Sequence, residues 1–277
     1  MENIVYFNKN LKDVDEKVRQ RLGIRGRRAV DLAMMGLPIA PGFIIDSVLT
    51  QKLPQINVKE ILSTYIGQLE KDMKKKYGDA EKPLMLKAVL SSDLNVPHFP
   101  SIHNIGMNNM TVEAFGKFTG KEFAYGEYLF LLRNMARKIY EIDEKELKQI
   151  EGKISKKAGI DDLRKAIESY RELFGEKFSE DVYDQLSLII KGASSRYCDS
   201  AIDVDNSLSI MVQVMVYGNW GDNSYAGKYY TRNIITGDPE IQGEFGQSEF
   251  DIQEGKAKEI NKIEKKHFTH FTELPER

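Results

Sequence analysis

The chain has 277 residues, with 40 Lys and Arg against 42 Asp and Glu, so its formal net charge is −2. That near-neutrality excludes a global electrostatic attraction to nucleic acid or to an anionic membrane. The length allows one large or two ordinary domains, and the single cysteine, Cys198, excludes an internal disulfide framework and a cysteine-rich zinc site. The opening residues MENIVYFNKNLKD lack the apolar centre of a signal peptide. No apolar run approaches the ~20 residues that cross a bilayer. The expectation is a soluble, cytoplasmic protein without membrane or nucleic-acid partners.

Residues 1–110 mix helix and strand. EKVRQRLGIRG (16–26) reads as a helix end followed by a glycine turn. RRAVDLAMMG (27–36) predicts a short helix with Ala29, Leu32, Ala33 and Gly36 on one face, stopped before Leu37-Pro38. APGFIID (40–46) is a turn and then a strand. NVKEILSTYIGQLEKDMKKKYG (57–78) predicts an amphipathic helix, with Ile61, Tyr65, Leu69 and Met73 recurring at helical steps. PLMLKAVL (83–90) is a buried strand, and the Pro- and Asn-rich stretch 95–109 is a loop.

Residues 111–198 read as a helical subdomain. One stripe holds Ala124, Tyr128, Leu131, Leu132, Met135 and Ile139. A second holds Leu163, Ala166, Ile167, Tyr170, Leu173 and Phe174, and a third holds Val182, Leu186, Ile189 and Ile190. Such stripes bury themselves against one another. Residues 199–255 are strand-rich: LSIMVQVMVYG, GKYYTRNI, PEIQGEF and EFDIQE are separated by glycine turns. Residues 256–277 form a charged helix or tail.

Three stretches carry chemistry. RQRLGIRGRR (19–28) crowds five arginines into ten residues. Arg27 and Arg28 would start a helix, where cations oppose the dipole. A glycine turn entering a helix N-terminus is an anion site, and guanidinium adds bidentate donors for phosphate. The same charges also fit a solvated basic face; a nucleic-acid patch would want interleaved aromatics that are missing. GNWGDNSYAGKYYTRN (218–233) spends far more glycine and asparagine than a hairpin needs, which suits either a bulged hairpin or a loop whose backbone N–H groups approach an anion. It lacks the Gly-Lys-Ser/Thr ending of a P-loop. In IQGEFGQSEFD, Glu244 and Gln247 offer a carboxylate and an amide oxygen suited to Mg²⁺, or Glu244 simply faces solvent. The four histidines, His98, His103, His267 and His270, have no metal-ligand spacing.

These signals meet in one family. LGIRGRRAVDLAMMGLPIAPGF (22–43) resembles the Gly-Gly-Lys-Gly-Ala-Asn segment of pyruvate phosphate dikinase and phosphoenolpyruvate synthase, running without a gap into Gly-Leu-Pro-Val-Pro-Pro-Gly-Phe. Residues 77–109 are similar to the strand bearing the family's Ser-Val-Arg-Ser-Gly-Ala and its Met-Pro-Gly-Met-Met-Asp-Thr loop. EFAYGEY and DVYDQLSLIIKGASSR fall where the family's helical motifs belong, and residues 212–245 carry Gln-x-Met-Val-x-Gly-Asn and Thr-Arg-Asn-x-x-Thr-Gly. The resemblance covers about residues 15–255 and is to the family's N-terminal ATP-binding domain.

The resemblance implies an α+β ATP-grasp fold. Its two lobes (1–110 and 199–255) clamp ATP, with the helical subdomain (111–198) beside them. It implies that Gly23, Arg25 and Gly26 cradle phosphate, that Gln213, Met215 and Val216 lie on the adenine-side strand, that Arg232 stands on the phosphate side, and that Glu244 and Gln247 meet Mg²⁺. Catalytic roles would fall to Arg25 and Arg232. The departures are specific. Arg25 replaces the family lysine, and a fork is not a point charge. Val89 replaces the family arginine, and Tyr225-Ala226-Gly227 replaces Gly-Thr-Gly. The Met-Pro-Gly loop shrinks to VPHFPSI, and three residues are missing between Phe245 and Gln247. The family's phosphohistidine and pyruvate domains have no counterpart here. The expectation is a stand-alone Mg–ATP-binding domain that transfers phosphate to a histidine on a separate protein. The alternative is a non-catalytic descendant acting as a binding or regulatory module.

Overall fold

The computed structural model describes residues 3–93, 101–152, 159–199, 208–218, 226–246 and 258–259. The chain divides into two compact units, Met1–Met215 and Val216–Arg277. Both helix and sheet are present, so the class is α+β.

The first unit begins β1 (Ile4–Phe7), α1 (Glu16–Arg19), α2 (Gly23–Met34), β2 (Gly42–Ile45), α3 (Ser47–Thr50) and α4 (Lys59–Met73). It continues β3 (Lys76–Tyr77), β4 (Pro83–Leu84), β5 (Leu86–Ser91), β6 (Ile102–Ile105), α5 (Asn109–Thr119) and α6 (Lys121–Lys138). It ends with α7 (Glu144–Glu151), α8 (Ile160–Phe174), α9 (Val182–Asp199) and β7 (Ser209–Val214); 3₁₀ turns occupy Leu53–Gln55 and Gly175–Lys177. Five strands form one sheet in the order β1-β2-β7-β5-β6, each pair antiparallel. β7 is the middle strand, and all six of its residues are buried. Met211 stands opposite Ile44 on one side and Val89 on the other.

Side chains on a strand alternate between faces, and directly opposed residues share one. Ile44, Val89 and Met211 therefore point the same way, into a cluster with Phe7, Leu22, Ala29, Val30 and Ala33 that seats α2. Phe43 points to the opposite face, where its ring lies 5.5 Å from that of Tyr65 in α4. α9 packs beside α4 and the turn Leu53–Gln55, and the Ser194 hydroxyl donates to the Thr50 carbonyl at 2.5 Å. α5, α6 and α8 pack on one another. α5 starts at a reciprocal cap: Asn108 Oδ1 accepts from the Thr111 amide at 2.8 Å while Thr111 Oγ1 accepts from the Asn108 amide at 2.8 Å.

Most of the expected stripes of α6, α8 and α9 are buried, with Tyr128, Tyr170, Leu186 and Ile189 fully enclosed, while Ile139 and Leu173 are only partly covered. Two helices differ. α4 buries Leu62, Tyr65, Ile66 and Leu69, so the expected stripe is rotated by one residue; Ile61 and Met73 are only partly covered. α2 starts four residues before the expected RRAVDLAMMG helix and absorbs the Gly-Ile-Arg-Gly turn, and it buries Val30 while Leu32 is 43% exposed. β6 occupies part of the expected 95–109 loop.

The second unit holds β8 (Ala226–Tyr230), β9 (Gln242–Gly246) and β10 (Lys258–Glu259), antiparallel in the order β10-β9-β8. Its β8–β9 connection is ordered by Asn233, whose Oδ1 accepts from the Ile235 and Thr236 amides at 2.9 and 3.0 Å. Among the described residues no helix is long and apolar enough to cross a membrane.

Candidate functional site

The start of α2 is held by two serines that end neighbouring strands. Ser91 closes β5 and Ser209 opens β7, and they are directly opposed in the ladder. The Ser91 hydroxyl donates to the Leu22 carbonyl at 2.8 Å and accepts from the Gly26 amide at 2.9 Å. The Ser209 hydroxyl donates to the same carbonyl at 2.5 Å. The bond from the Gly26 amide to Ser91 takes the place of a side-chain cap, which Leu22 cannot supply.

Gly23 is what lets the helix come so close. Its φ is +62°, a left-handed conformation that a Cβ disfavours. A Cβ built there would lie 2.4 Å from the Ser91 carbonyl oxygen and 2.5 Å from the carbonyl carbon. Gly23 thus fits α2 onto the end of β5, while Gly26 lies against Ile44 of β2 and gives its amide to Ser91.

The five arginines sort by partner. Arg19 pairs with Asp31 at 2.6 Å, Arg21 with the buried Asp46 at 3.2 Å, and Arg27 with Asp93 through two bonds of 3.0 and 2.5 Å. Burial holds the Asp46 carboxyl above its ordinary range, although the Leu49 amide and the Arg21 charge pull the other way. Arg25 is exposed, and among the described residues its guanidinium donates only to the Leu90 carbonyl, at 3.3 Å. Arg28 is exposed one helical turn on and has no acidic partner among the described residues. Three residues apart, Arg25 and Arg28 share one side of the helix. Charge density alone did not separate this pair from the three tied arginines.

The first-unit residues expected on the adenine side lie at the far end of β7. Gln213 stands between Gly42 of β2 and Lys87 of β5. Its amide nitrogen donates to the Ala40 carbonyl at 2.8 Å, tying down the segment that enters β2. Lys87, not singled out from the sequence, shares the face of Gln213 and is half-buried; a charge inside the apolar PLMLKAVL is the signal that could have found it. The Met215 amide extends the pairing by donating to the Met85 carbonyl at 2.9 Å. Val89, two residues from Lys87, is only 7% exposed within the α2 cluster.

In the second unit Val216 is 72% exposed. Arg232 donates to the Gly237 carbonyl at 3.1 Å and helps close the Asn233 turn. Glu244 is half-buried in the middle of β9, opposite Lys228 in β8 and Glu259 in β10. Gln247, Tyr225 and the VPHFP segment lie outside the described residues. Among the described residues no three His, Cys, Asp or Glu gather into a metal cluster. One strand carboxylate is a donor set for an ion such as Mg²⁺, which uses one or two carboxylates and takes its other ligands from water and phosphate.

No family model matches the chain. Sequence relatives are nonetheless consistent. The chain is 31% identical over 283 residues to pyruvate, phosphate dikinase of Treponema pallidum (strain Nichols), an alignment that covers 98% of this chain and 31% of that protein. It is 28% identical over 274 residues to the chloroplastic pyruvate, phosphate dikinase of Mesembryanthemum crystallinum, covering 88% of this chain and 29% of the relative. With the pyruvate, phosphate dikinase of Clostridium symbiosum the identity is 27% over 258 residues, covering 82% and 30%. The chain spans about a third of the length of these curated relatives.

Proposed function

We propose, for a chain similar to pyruvate, phosphate dikinases over 82–98% of its length, that it is their ATP-binding part and has the ATP-grasp fold. The observation that carries the reading is the exposed pair Arg25 and Arg28. They sit in the first turns of a helix whose start is fixed by Ser91 and Ser209, in the segment that resembles the family's phosphate-binding glycines. A helix start with its partial positive charge and two guanidiniums that have no acidic partner among the described residues suits a polyphosphate.

In this reading Gly23, Arg25 and Gly26 form the phosphate end of the first lobe, and Gln213, Met215 and Val216 the adenine side. Arg232 supplies a second-lobe cation, while Glu244 and Gln247 would hold Mg²⁺ together with phosphate oxygens. The ion would neutralise charge on the terminal phosphates. The task of the side chains is to position the triphosphate and keep water from its terminal phosphorus. Residues 1–110 and 199–255 would be the lobes, with the helical subdomain 111–198 between them in sequence; β7, from the second range, is the middle strand of the first unit's sheet. The acceptor is a histidine on a separate protein.

A second reading rests on Val89. Where the family has arginine, this chain has an apolar side chain sealed under α2, so one phosphate clamp is gone. The domain would then be a binding or regulatory module that holds nucleotide without turning it over. Calorimetric titration of ATP with and without Mg²⁺ tests both. Micromolar, Mg²⁺-dependent binding that weakens about tenfold or more in Arg25→Ala is expected, the effect of one charge-assisted contact. Absence of heat at about 1 mM ATP, a concentration that would reveal even feeble affinity, removes the nucleotide reading. Binding without release of either ADP or AMP, when a phosphohistidine-type acceptor is added, leaves the second reading standing.

A further inference from the structure

We propose that the first unit carries a second site, for a small organic phosphate, in the cleft between α9, the end of α6 and the turn Gly175–Lys177. The cleft has a volume of about 510 Å³, within the range of small-molecule sites. One wall is a single face of α9, because residues 184, 187, 188, 191, 192 and 195 recur at helical steps. Lys191, Ser187 and Ser195 give that wall its polar groups. Lys177 faces it from the 3₁₀ turn, and Met135, Leu188 and Pro54 supply apolar surface.

The charge of the cleft is positive once its pairs are counted. Asp184 also borders it, but its carboxylate is neutralised by Lys59 at 2.5 Å and accepts from the Ser179 hydroxyl at 3.3 Å. Lys177 and Lys191 have no ion pair among the described residues, whereas Arg133, Arg137, Arg164 and Arg171 of the same helical layer are all paired. The Ser187 and Ser195 hydroxyls likewise have no hydrogen-bond partner among the described residues. Two ammonium groups and two hydroxyls beside an apolar floor are the donors a phosphomonoester with an apolar body requires.

The frame of the cleft is rigid. Tyr140 stacks on Phe174 with ring centroids 4.2 Å apart, and its hydroxyl donates to the Lys177 carbonyl at 3.0 Å, which fixes the turn. Gln185 is held at both ends, accepting from the Gly106 amide at 2.7 Å and donating to the Met107 carbonyl at 3.0 Å. Gly192 presses on Ile139: a Cβ there would meet its methyl carbons at 3.3 and 3.4 Å. α9 packs with α4 on the sheet face opposite α2. The cleft is therefore separate from Arg25 and Arg28, and the proposal does not depend on the nucleotide reading.

The experiment is calorimetry and two-dimensional NMR on the whole chain with phenyl phosphate, inorganic phosphate and phenol. Phenyl phosphate is expected to shift the Ser187–Ser195 amides, and to bind about tenfold more tightly than either fragment because both the charge and the ring contribute. Lys191→Ala and Lys177→Ala should each weaken it about tenfold, as loss of a charge-assisted bond does. Ser187→Glu, which places a carboxylate in the cleft and keeps both lysines, should abolish it. Arg25→Ala should leave it unchanged, so loss of ATP binding and loss of phenyl phosphate binding are read separately. Binding that ignores Lys191→Ala and Ser187→Glu, or amide shifts confined to α2, overturns the proposal. So does an absence of any shift at about 10 mM phenyl phosphate, above the weakest useful affinity.

Discussion

Replacing Gly23 by alanine tests the joint between α2 and β5 directly. The glycine has a φ of +62°, and an added Cβ would lie 2.4 Å from the Ser91 carbonyl oxygen, 2.5 Å from its carbon and 2.7 Å from Oγ. The first two are backbone atoms of a strand end paired to Ser209 of β7, so moving them aside would disturb the ladder as well. Left-handed backbone alone costs about 1–2 kcal/mol for a residue with a Cβ. Relief of the overlap requires α2 to lift from β5. That breaks the Ser91 bonds to the Leu22 carbonyl (2.8 Å) and from the Gly26 amide (2.9 Å). Each bond contributes about 0.5–1.5 kcal/mol net, so the expected loss is about 2–5 kcal/mol. In a unit of this size 1 kcal/mol moves the midpoint by about 2–4 °C. Urea titration and thermal unfolding followed by circular dichroism measure the loss. Ser91→Ala is the companion variant: it removes both bonds but keeps the glycine, and should cost about 1–3 kcal/mol. If Gly23→Ala unfolds within about 0.5 kcal/mol of the parent, the spread of a neutral surface change, the close approach does not require glycine and the reasoning fails.

Val89→Arg would restore the family residue, yet it places a guanidinium among Phe7, Leu22, Ile44 and Met211. A loss of about 3–5 kcal/mol is expected for an unpaired buried charge; an arginine variant as stable as the parent, and tighter for ATP, would show that this position opens to ligand. The Glu113 carboxyl is held down to about 2, first by the Tyr125 hydroxyl (2.5 Å), then by Lys121 (3.0 Å) and Arg164 (2.9 Å). Its folded value lies below the ordinary glutamate value of about 4.3. The stability it contributes is therefore present above that pH and is lost as pH falls toward about 2. Tyr125→Phe removes the largest cause and should raise the Glu113 midpoint in a carboxyl NMR titration; an unmoved midpoint would assign the shift to the two cations alone.

The parts legible in the sequence are those where one short pattern decides the structure. α8 and α9 bury most of the residues their spacing selects, whereas α6 buries its stripe and also Tyr125, Leu129 and Ala136, because it is covered on more than one side. α4 shows the limit of that logic: Ile61 and Leu62, then Tyr65 and Ile66, are adjacent apolar pairs, so the period is clear but the phase is not. The start of α2 was hidden because Gly-Ile-Arg-Gly has poor helix propensity. It is helical because Ser91 and Ser209 hold it, and no local pattern announces a bond spanning 187 positions. For the site, the arginine cluster was visible as charge. Its division into three paired members and the exposed Arg25 and Arg28 depends on where Asp31, Asp46 and Asp93 arrive in the fold. Lys87 beside Gln213 likewise follows from the β5–β7 register, which periodicity cannot set.

The place of β7 in the sheet matters during synthesis. Translation delivers β1 and β2, then β5 and β6, long before Ser209–Val214 leaves the ribosome. Until then neither β2 nor β5 has its native inner neighbour, and each offers bare amides and carbonyls to any passing strand. The pairing that closes the sheet is also among the most distant in sequence, and such contacts form slowly. A polypeptide cut short before Ser209 would therefore keep two unsatisfied edges permanently, and self-association rather than a smaller soluble domain is its natural fate.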